Sequence, residues 1–387
     1  MAFTEITTQG WGQRVGGSLK GTLFGIVLFL AGFPVLFFNE GRAVKTAKSL
    51  KEGAATVVSA SASDLSPANE GKLVHISGLV ETADVLRDPV FGVRTPALKL
   101  ARIVEMYQWQ EESESRTREK AGGGSETTTV YTYEPVWSSN LINSNQFREG
   151  GYENPPRMPF ESATQLAPKA TMGDFHIPPR LLQRMTPANS LPIAEGAFTA
   201  PATTAPKLDN GGLYLGADPA KPRVGDTRIS FEVVYPAVAS VIAKQVGSTL
   251  EPYPTRAGRD LDMLEMGQVD AKSMFATAVA NNKALTWAVR FLGALLMFIG
   301  LTLLFQPLVM VARFIPFLGS LLNVGTGLFA ALIAIACATV TVAISWIVFR
   351  PLMGVLLLAA AVGVVVLIYK LPGRIKLDGQ GGLSANG

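Results

Sequence analysis

Residues 21–38 read GTLFGIVLFLAGFPVLFF, a run without one charged side chain. At about 1.5 Å per helical residue such a run only just crosses a hydrocarbon core of about 30 Å. Arg14 and Lys20 precede it, so a cleaved signal peptide is the rival reading. No small-x-small cleavage site follows, however; the chain continues NEGR at 39–42, and a retained membrane span is expected.

Three more apolar stretches lie far downstream. Residues 284–306 hold one charge, Arg290, close enough to the start to snorkel to the headgroups, and stop before Pro307. Residues 324–349 are closed by Arg350 and Pro351, and residues 352–369 run out into Lys370, Arg374 and Lys376. The short gap between the last two requires a tight antiparallel hairpin. Residues 307–323 are apolar but broken by Arg313 and Pro316, which reads as a cytosolic interfacial segment. The fold class expected is an integral membrane protein with four transmembrane α-helices and a large extracytosolic domain at 39–283. A tail at 1–20 and another at 370–387 would then share the cytosolic side. Charge asymmetry supports this only weakly, because Arg42, Lys45, Lys48 and Lys51 oppose the basic residues near the termini.

Composition narrows the function classes. Apolar residues make up 48% of the 387, yet they concentrate at the two ends and leave a polar centre. The net charge of +4 includes no basic run that could track phosphates, so nucleic acid is not an expected partner. Cys337 is the one cysteine, which rules out intramolecular disulfides and cysteine metal centres. His75 and His176 are too few and too far apart for a metal cluster or a triad. There is no GxSxG elbow and no Walker-A lysine, and Gly122–Gly124 opens no helix that could cradle a phosphate. No catalytic set, metal or cofactor is expected, and the chain is read as a non-enzyme.

The centre carries strand signals. Residues 72–77 alternate polar and apolar up to Gly78, and a strand starting near Leu98 faces a partner at 127–133. Between them 111–126 is charged and glycine-bearing, which reads as a long hairpin with a mobile tip. Residues 223–234 and 240–246 look like a further strand pair, while 180–185 and 271–280 suit helices. Residues 43–60 suit a helical stalk leaving the membrane. The domain is therefore a β-rich α+β unit, and a small β-barrel is one topology it admits. Tyr107, Trp109, Tyr131, Tyr133 and Trp137 at strand spacing suit a cross-strand aromatic cluster.

Small residues mark helix contacts, because they let backbones approach where water cannot drive association. Gly21 and Gly25 form a GxxxG pair; Ala331, Ala334 and Ala338 recur on the 324–349 helix, and Ala359 and Gly363 on the last. Glu40, Arg42 and Arg350 stand at span ends, where they are candidates for interfacial anchoring or lipid-headgroup contact.

The stretches NEGRAVKTA (39–47), EGKLVHISG (70–78) and VEMYQW (104–109) recur with others in one order: INS at 142–144 with Phe147, NP at 154–155, VGD at 224–226 and FRPL at 349–352. In this combination the chain resembles the LUMA family, also called transmembrane protein 43, along nearly its whole length. The resemblance implies four spans, a large lumenal domain and cytosolic termini. Animal members of that family are nuclear-envelope and endoplasmic-reticulum proteins linked to membrane organisation. The Ala- and Gly-rich composition here points to a bacterial member, in the cytoplasmic membrane.

The function expected is a membrane scaffold or organiser, a homo-oligomer in contact with membrane lipids and with membrane-protein partners of unknown identity. An oligomeric ion channel or transporter is the alternative. Its spans would offer Thr326, Thr339, Thr341 and Ser345, with Asn323 at an edge, but no acidic group. A membrane-surface enzyme acting on lipid or envelope polymer is the third reading.

Overall fold

The computed structural model describes residues 2–120, 124–186, 188–199, 205–312 and 316–351. Its frame is three long helices. Helix α1 runs Trp11–Thr56; a one-turn helix α2 occupies Pro179–Leu182; α3 spans Ala271–Ala312 and α4 spans Pro316–Phe349. Helices α1, α3 and α4 are long and apolar enough to cross a membrane, over Lys20–Thr56, Ala271–Pro307 and Gly325–Phe349. Three such helices thus stand among the described residues where the sequence suggests four. The expected fourth span, 352–369, and the tail after it lie outside the described residues.

The helices outrun the apolar stretches that announce them. Helix α1 continues past Asn39 as the expected stalk, and α3 begins well before Ala284. Pro307 does not end α3, and α4 is already helical from Pro316, so helix reaches into both ends of the stretch read as interfacial.

Helices α1 and α3 pack antiparallel, and glycine sets their spacing. A Cβ on Gly25 would stand 2.7 Å from the Gly300 carbonyl oxygen, and one on Gly300 would stand 2.5 Å from the Phe29 nitrogen. Both obstacles are backbone and cannot swing away. Further along, Gly32 receives Met297 and Gly293 receives Leu36. Gly300→Leu is therefore expected to prise the helices apart and destabilise by about 1–3 kcal/mol, the usual range for overpacking. Thermal aggregation of the detergent-solubilised protein would read this, and an unchanged midpoint would show that the close approach is dispensable.

The β-rich domain is inserted between α1 and α3. One sheet holds the long hairpin Lys99–Glu119/Ser125–Ser138, with Thr227–Val234 and then Gly212–Leu215 on its other side. The second is built on Leu73–Thr82 against Ala237–Val246. Its pairings run on through Thr249–Glu251, Phe175–His176 and Ala170–Met172 back to Leu73–Thr82, a closed circuit that no open sheet has. Ile76, Phe91, Leu100, Phe175, Phe231 and Val241 fill one core between the two sheets.

Two sequence readings of the domain change. Residues 227–234 and 237–246 do not pair with each other; the first pairs with Lys99–Met106 and the second with Leu73–Val80, in different sheets. The long hairpin is also more regular than its charge implied, with strands reaching Glu119 and Ser125. Hydroxyl pairs stitch that part, Ser115 with Thr129 and Thr117 with Thr127, each at 2.9 Å. Residues 121–123 at the turn lie outside the described residues.

The N-terminal strand Ala2–Gln9 lies antiparallel along Thr132–Ser125 of this hairpin. Arg148 and Glu5 pair beside it. Such a pairing requires strand and hairpin on one side of any bilayer, whereas a tail at 1–20 across the membrane from the domain requires the opposite. The two arrangements exclude one another once α1 spans.

Candidate functional site

No group of three or more His, Cys, Asp or Glu side chains placed to hold a metal ion occurs among the described residues. His75 donates its Nε2–H to the Val269 carbonyl at 2.8 Å, a bond that ties a strand to the chain just before α3. The aromatic residues of the hairpin pack together: Tyr107 against Trp137 at 5.0 Å, and Trp109 and Tyr133 both against Tyr152. Tyr131 instead meets Phe3. The Tyr133 hydroxyl donates to Glu111 at 2.6 Å. Burial, reinforced by that bond, pushes its phenol up to about 12, so it remains a donor at physiological pH.

The chemistry concentrates where α1, α3 and α4 leave the membrane on the domain side. Glu40 is fully buried there. Arg290 of α3 grips it with two parallel bonds, Nε to Oε1 at 2.6 Å and Nη2 to Oε2 at 3.0 Å. Trp346 of α4 donates its indole N–H to the same carboxylate at 2.9 Å. One carboxylate thus joins all three helices. Arg290 is also enclosed by aromatics, with its guanidinium carbon 4.7 Å from the Trp287 ring and 5.8 Å from that of Trp346. Cation–π attraction of this kind grows as water is removed.

Nearer the domain lies a latch in which Arg42 meets only neutral partners. Its guanidinium donates to Asn39, Asn282 and Thr286 at 3.0–3.3 Å, and Asn39 donates across to the Thr286 carbonyl at 3.1 Å. Asn282 returns a bond to the Ala43 carbonyl. At the domain end, the Ser49 and Thr255 hydroxyls share a bond at 2.6 Å, and Glu52 accepts from the Arg256 backbone. These contacts fix the helices to the domain as well as to each other.

Several expectations are revised by this geometry. Glu40 turns inward and cannot meet headgroups, because both its oxygens are taken by Arg290 and Trp346. Arg290 likewise turns inward rather than snorkelling, since the buried carboxylate is a better partner than water. Arg350 stays at the rim, 5.8 Å from the Trp346 ring. Gly21 and Gly25 face α3. On α4 the buried small face passes through Ala330, Ala334 and Ala338, while Ala331 sits half-buried at its margin. Ala359 and Gly363 lie outside the described residues. Sequence reading missed Trp346, Asn282 and Asn39; the one available signal was a tryptophan four residues before Arg350, at a span end.

The family model for transmembrane protein 43 matches residues 106–351. Mouse transmembrane protein 43 is 36% identical over 393 residues, covering 97% of this chain and 95% of the mouse one. The chain belongs to the transmembrane protein 43 family. The human member is also 36% identical, over 91% of this chain and 90% of its own. A Drosophila melanogaster transmembrane protein 43 homolog is 31% identical over 87% of this chain and 91% of its own. No solved structure matches. Membership in the transmembrane protein 43 family and the three apolar helices make this an integral membrane protein.

Proposed function

We propose that the protein is a membrane scaffold: a self-associating bundle that carries its β-rich domain at a fixed height above the bilayer. The observation that supports this most is the unbroken passage of α1 and α3 from the membrane into the domain. Asn39 to Thr56 continues as helix for about 25 Å beyond the span, and buried polar bonds tie this stem to α3 and to the domain. A stem without a hinge transmits position, which suits holding partners in place.

Helix α4 runs parallel to α1, since Phe349 packs 5.1 Å from Phe37 and closes over Gly41. Arg350 is therefore on the domain side, and residues 352–369 provide the return crossing in this reading. Four crossings then place both termini in the cytosol and the domain outside it, in a bacterial cytoplasmic membrane. The outward face of α4, with Leu328, Phe329, Leu332, Ile335 and Ile344, supplies apolar surface for lipid or for another copy. A channel gains no support from the span hydroxyls. Thr341 and Ser345 are buried and donate back to the carbonyls four residues earlier, and the exposed Thr339 stands among apolar side chains, Phe291, Ile335 and Val342.

Extraction into native nanodiscs followed by mass determination tests the proposal. The expected result is a defined homo-oligomer with reproducible co-purifying membrane proteins. A strictly monomeric particle without partners would remove the scaffold reading.

A further inference from the structure

Below the ion pair, α3 and α4 enclose a groove of about 430 Å³, within the ordinary size range of ligand pockets. Its walls are apolar, with Leu36, Phe291, Ala294, Ile335 and Val342 among them, and Arg290, Trp287 and Trp346 stand at one end. That end is the domain-side boundary of the spans. We propose that this groove binds one anionic glycerophospholipid, with an acyl chain along the apolar walls and the phosphodiester held by Arg290 and Arg350.

Charge complementarity selects this occupant. Among the side chains that meet at this junction, Arg42, Arg290 and Arg350 stand with one carboxylate, Glu40, an excess of at least two positive charges. Arg42 spends its donors on Asn39, Asn282 and Thr286. Arg290 uses Nε and Nη2 on Glu40, and its Nη1 has no hydrogen-bond partner among the described residues. The Arg350 side chain makes no ion pair among the described residues. Both Arg290 and Arg350 lie 5.8 Å from the Trp346 ring, so the two guanidinium groups share that indole as a common neighbour. Guanidinium forks match phosphate oxygens in shape and charge, and tryptophan at a span end sits naturally at headgroup depth. Residues 352–369 carry no charged side chain and could not neutralise the excess. A second copy offers no better match, because its Glu40 is buried within its own bundle.

The inference does not depend on self-association, and its test reads lipid rather than oligomer. The full chain, purified in mild detergent, is examined by native mass spectrometry after titration with phosphatidylglycerol or with phosphatidylcholine. One phosphatidylglycerol per chain is expected to survive activation, in preference to phosphatidylcholine. Arg350→Gln removes a charged donor and is expected to weaken retention about tenfold. Thr339→Trp fills the groove from an exposed position on α4 and is expected to abolish retention. Both leave the Glu40–Arg290 pair intact, and unchanged thermal midpoints would show that the variants fold. Equal lipid occupancy in wild type and both variants, or none in wild type, overturns the proposal. So does quantitative disulfide formation, in a Cys337→Ser background, between Thr339→Cys and Val362→Cys, which would put the chain's own segment in the groove. A Thr339→Cys dimer formed in the same background would assign the groove to a second copy.

Discussion

Glu40→Ala is expected to lower the thermal midpoint of the detergent-solubilised protein by on the order of 10 °C, and Arg290→Ala to do the same. The reason lies in what each leaves behind. Glu40 is wholly enclosed and Arg290 nearly so, with side-chain exposures of 0% and 17%. Removing either partner strands the other's charge among Trp287, Trp346 and the α1 backbone. Breaking a buried pair by one side costs about 3–5 kcal/mol, most of it the uncompensated burial of the remaining ion. Removing both charges together is far gentler. The double variant Glu40→Met, Arg290→Met is expected to recover most of the loss, because only the Trp346 indole N–H is left without its acceptor. Size-exclusion chromatography after a heating series measures all three. Additive losses in the double variant would show that the two residues act independently, and the three-helix junction would not be the keystone it is taken for.

The second large effect concerns the N-terminal strand. Thr4 lies opposite Val130 in the pairing with the hairpin. With the cytosolic termini proposed above, Thr4→Cys and Val130→Cys in intact membranes are expected not to form a disulfide, while both cysteines react with a maleimide from opposite sides. The energetics decide it. For the strand to keep its partner with α1 across a bilayer, the hairpin would have to follow the helix through the hydrocarbon. Its Glu111, Glu112, Glu114, Arg116 and Arg118 would each cost about 2.5–3.5 kcal/mol at mid-membrane, on the scale for comparable charges. Open strand edges in lipid add several kcal/mol per unsatisfied backbone group. One added edge strand cannot offset a total well above 10 kcal/mol. The polar hairpin therefore stays in water on the domain side. A disulfide formed in intact membranes would mean that residues 2–9 share that side, and the topology with cytosolic termini would fall.

Three spans were legible in the sequence because hydrocarbon thickness leaves a mark that no other constraint mimics: a long run almost without charge. The hairpin was legible too, through alternation and its β-branched threonines. Partners were not. Residues 227–234 bury every second position while 237–246 are buried almost continuously, so the two differ in how many layers cover them. Their closeness in sequence nevertheless reads as pairing, and nothing local says that the chain changes sheets at Tyr235. Glu40 shows the same limit in the site. A carboxylate at the end of an apolar run looks like a headgroup anchor, and only the arrival of Arg290 and Trp346 makes it a core residue. Alternation reports which face is covered; it is silent about what covers it.

The separation between Glu40 and Arg290, 250 residues along the chain, also sets a clock. At about 5–20 residues per second, a ribosome needs on the order of 10–50 s to make the second after the first. Through that interval Glu40 of α1 is unmet and Arg42 has only Asn39 of its own helix as a partner, while the whole β-rich domain is being made and folded. The carboxylate's place at the span end rather than its middle lets water or headgroups tend it meanwhile. The junction can close only after the domain has emerged and α3 has turned back beside α1. Closure would thus certify completed synthesis, and a chain stalled or truncated before Arg290 would display an unpaired acid at the membrane surface for quality control to find.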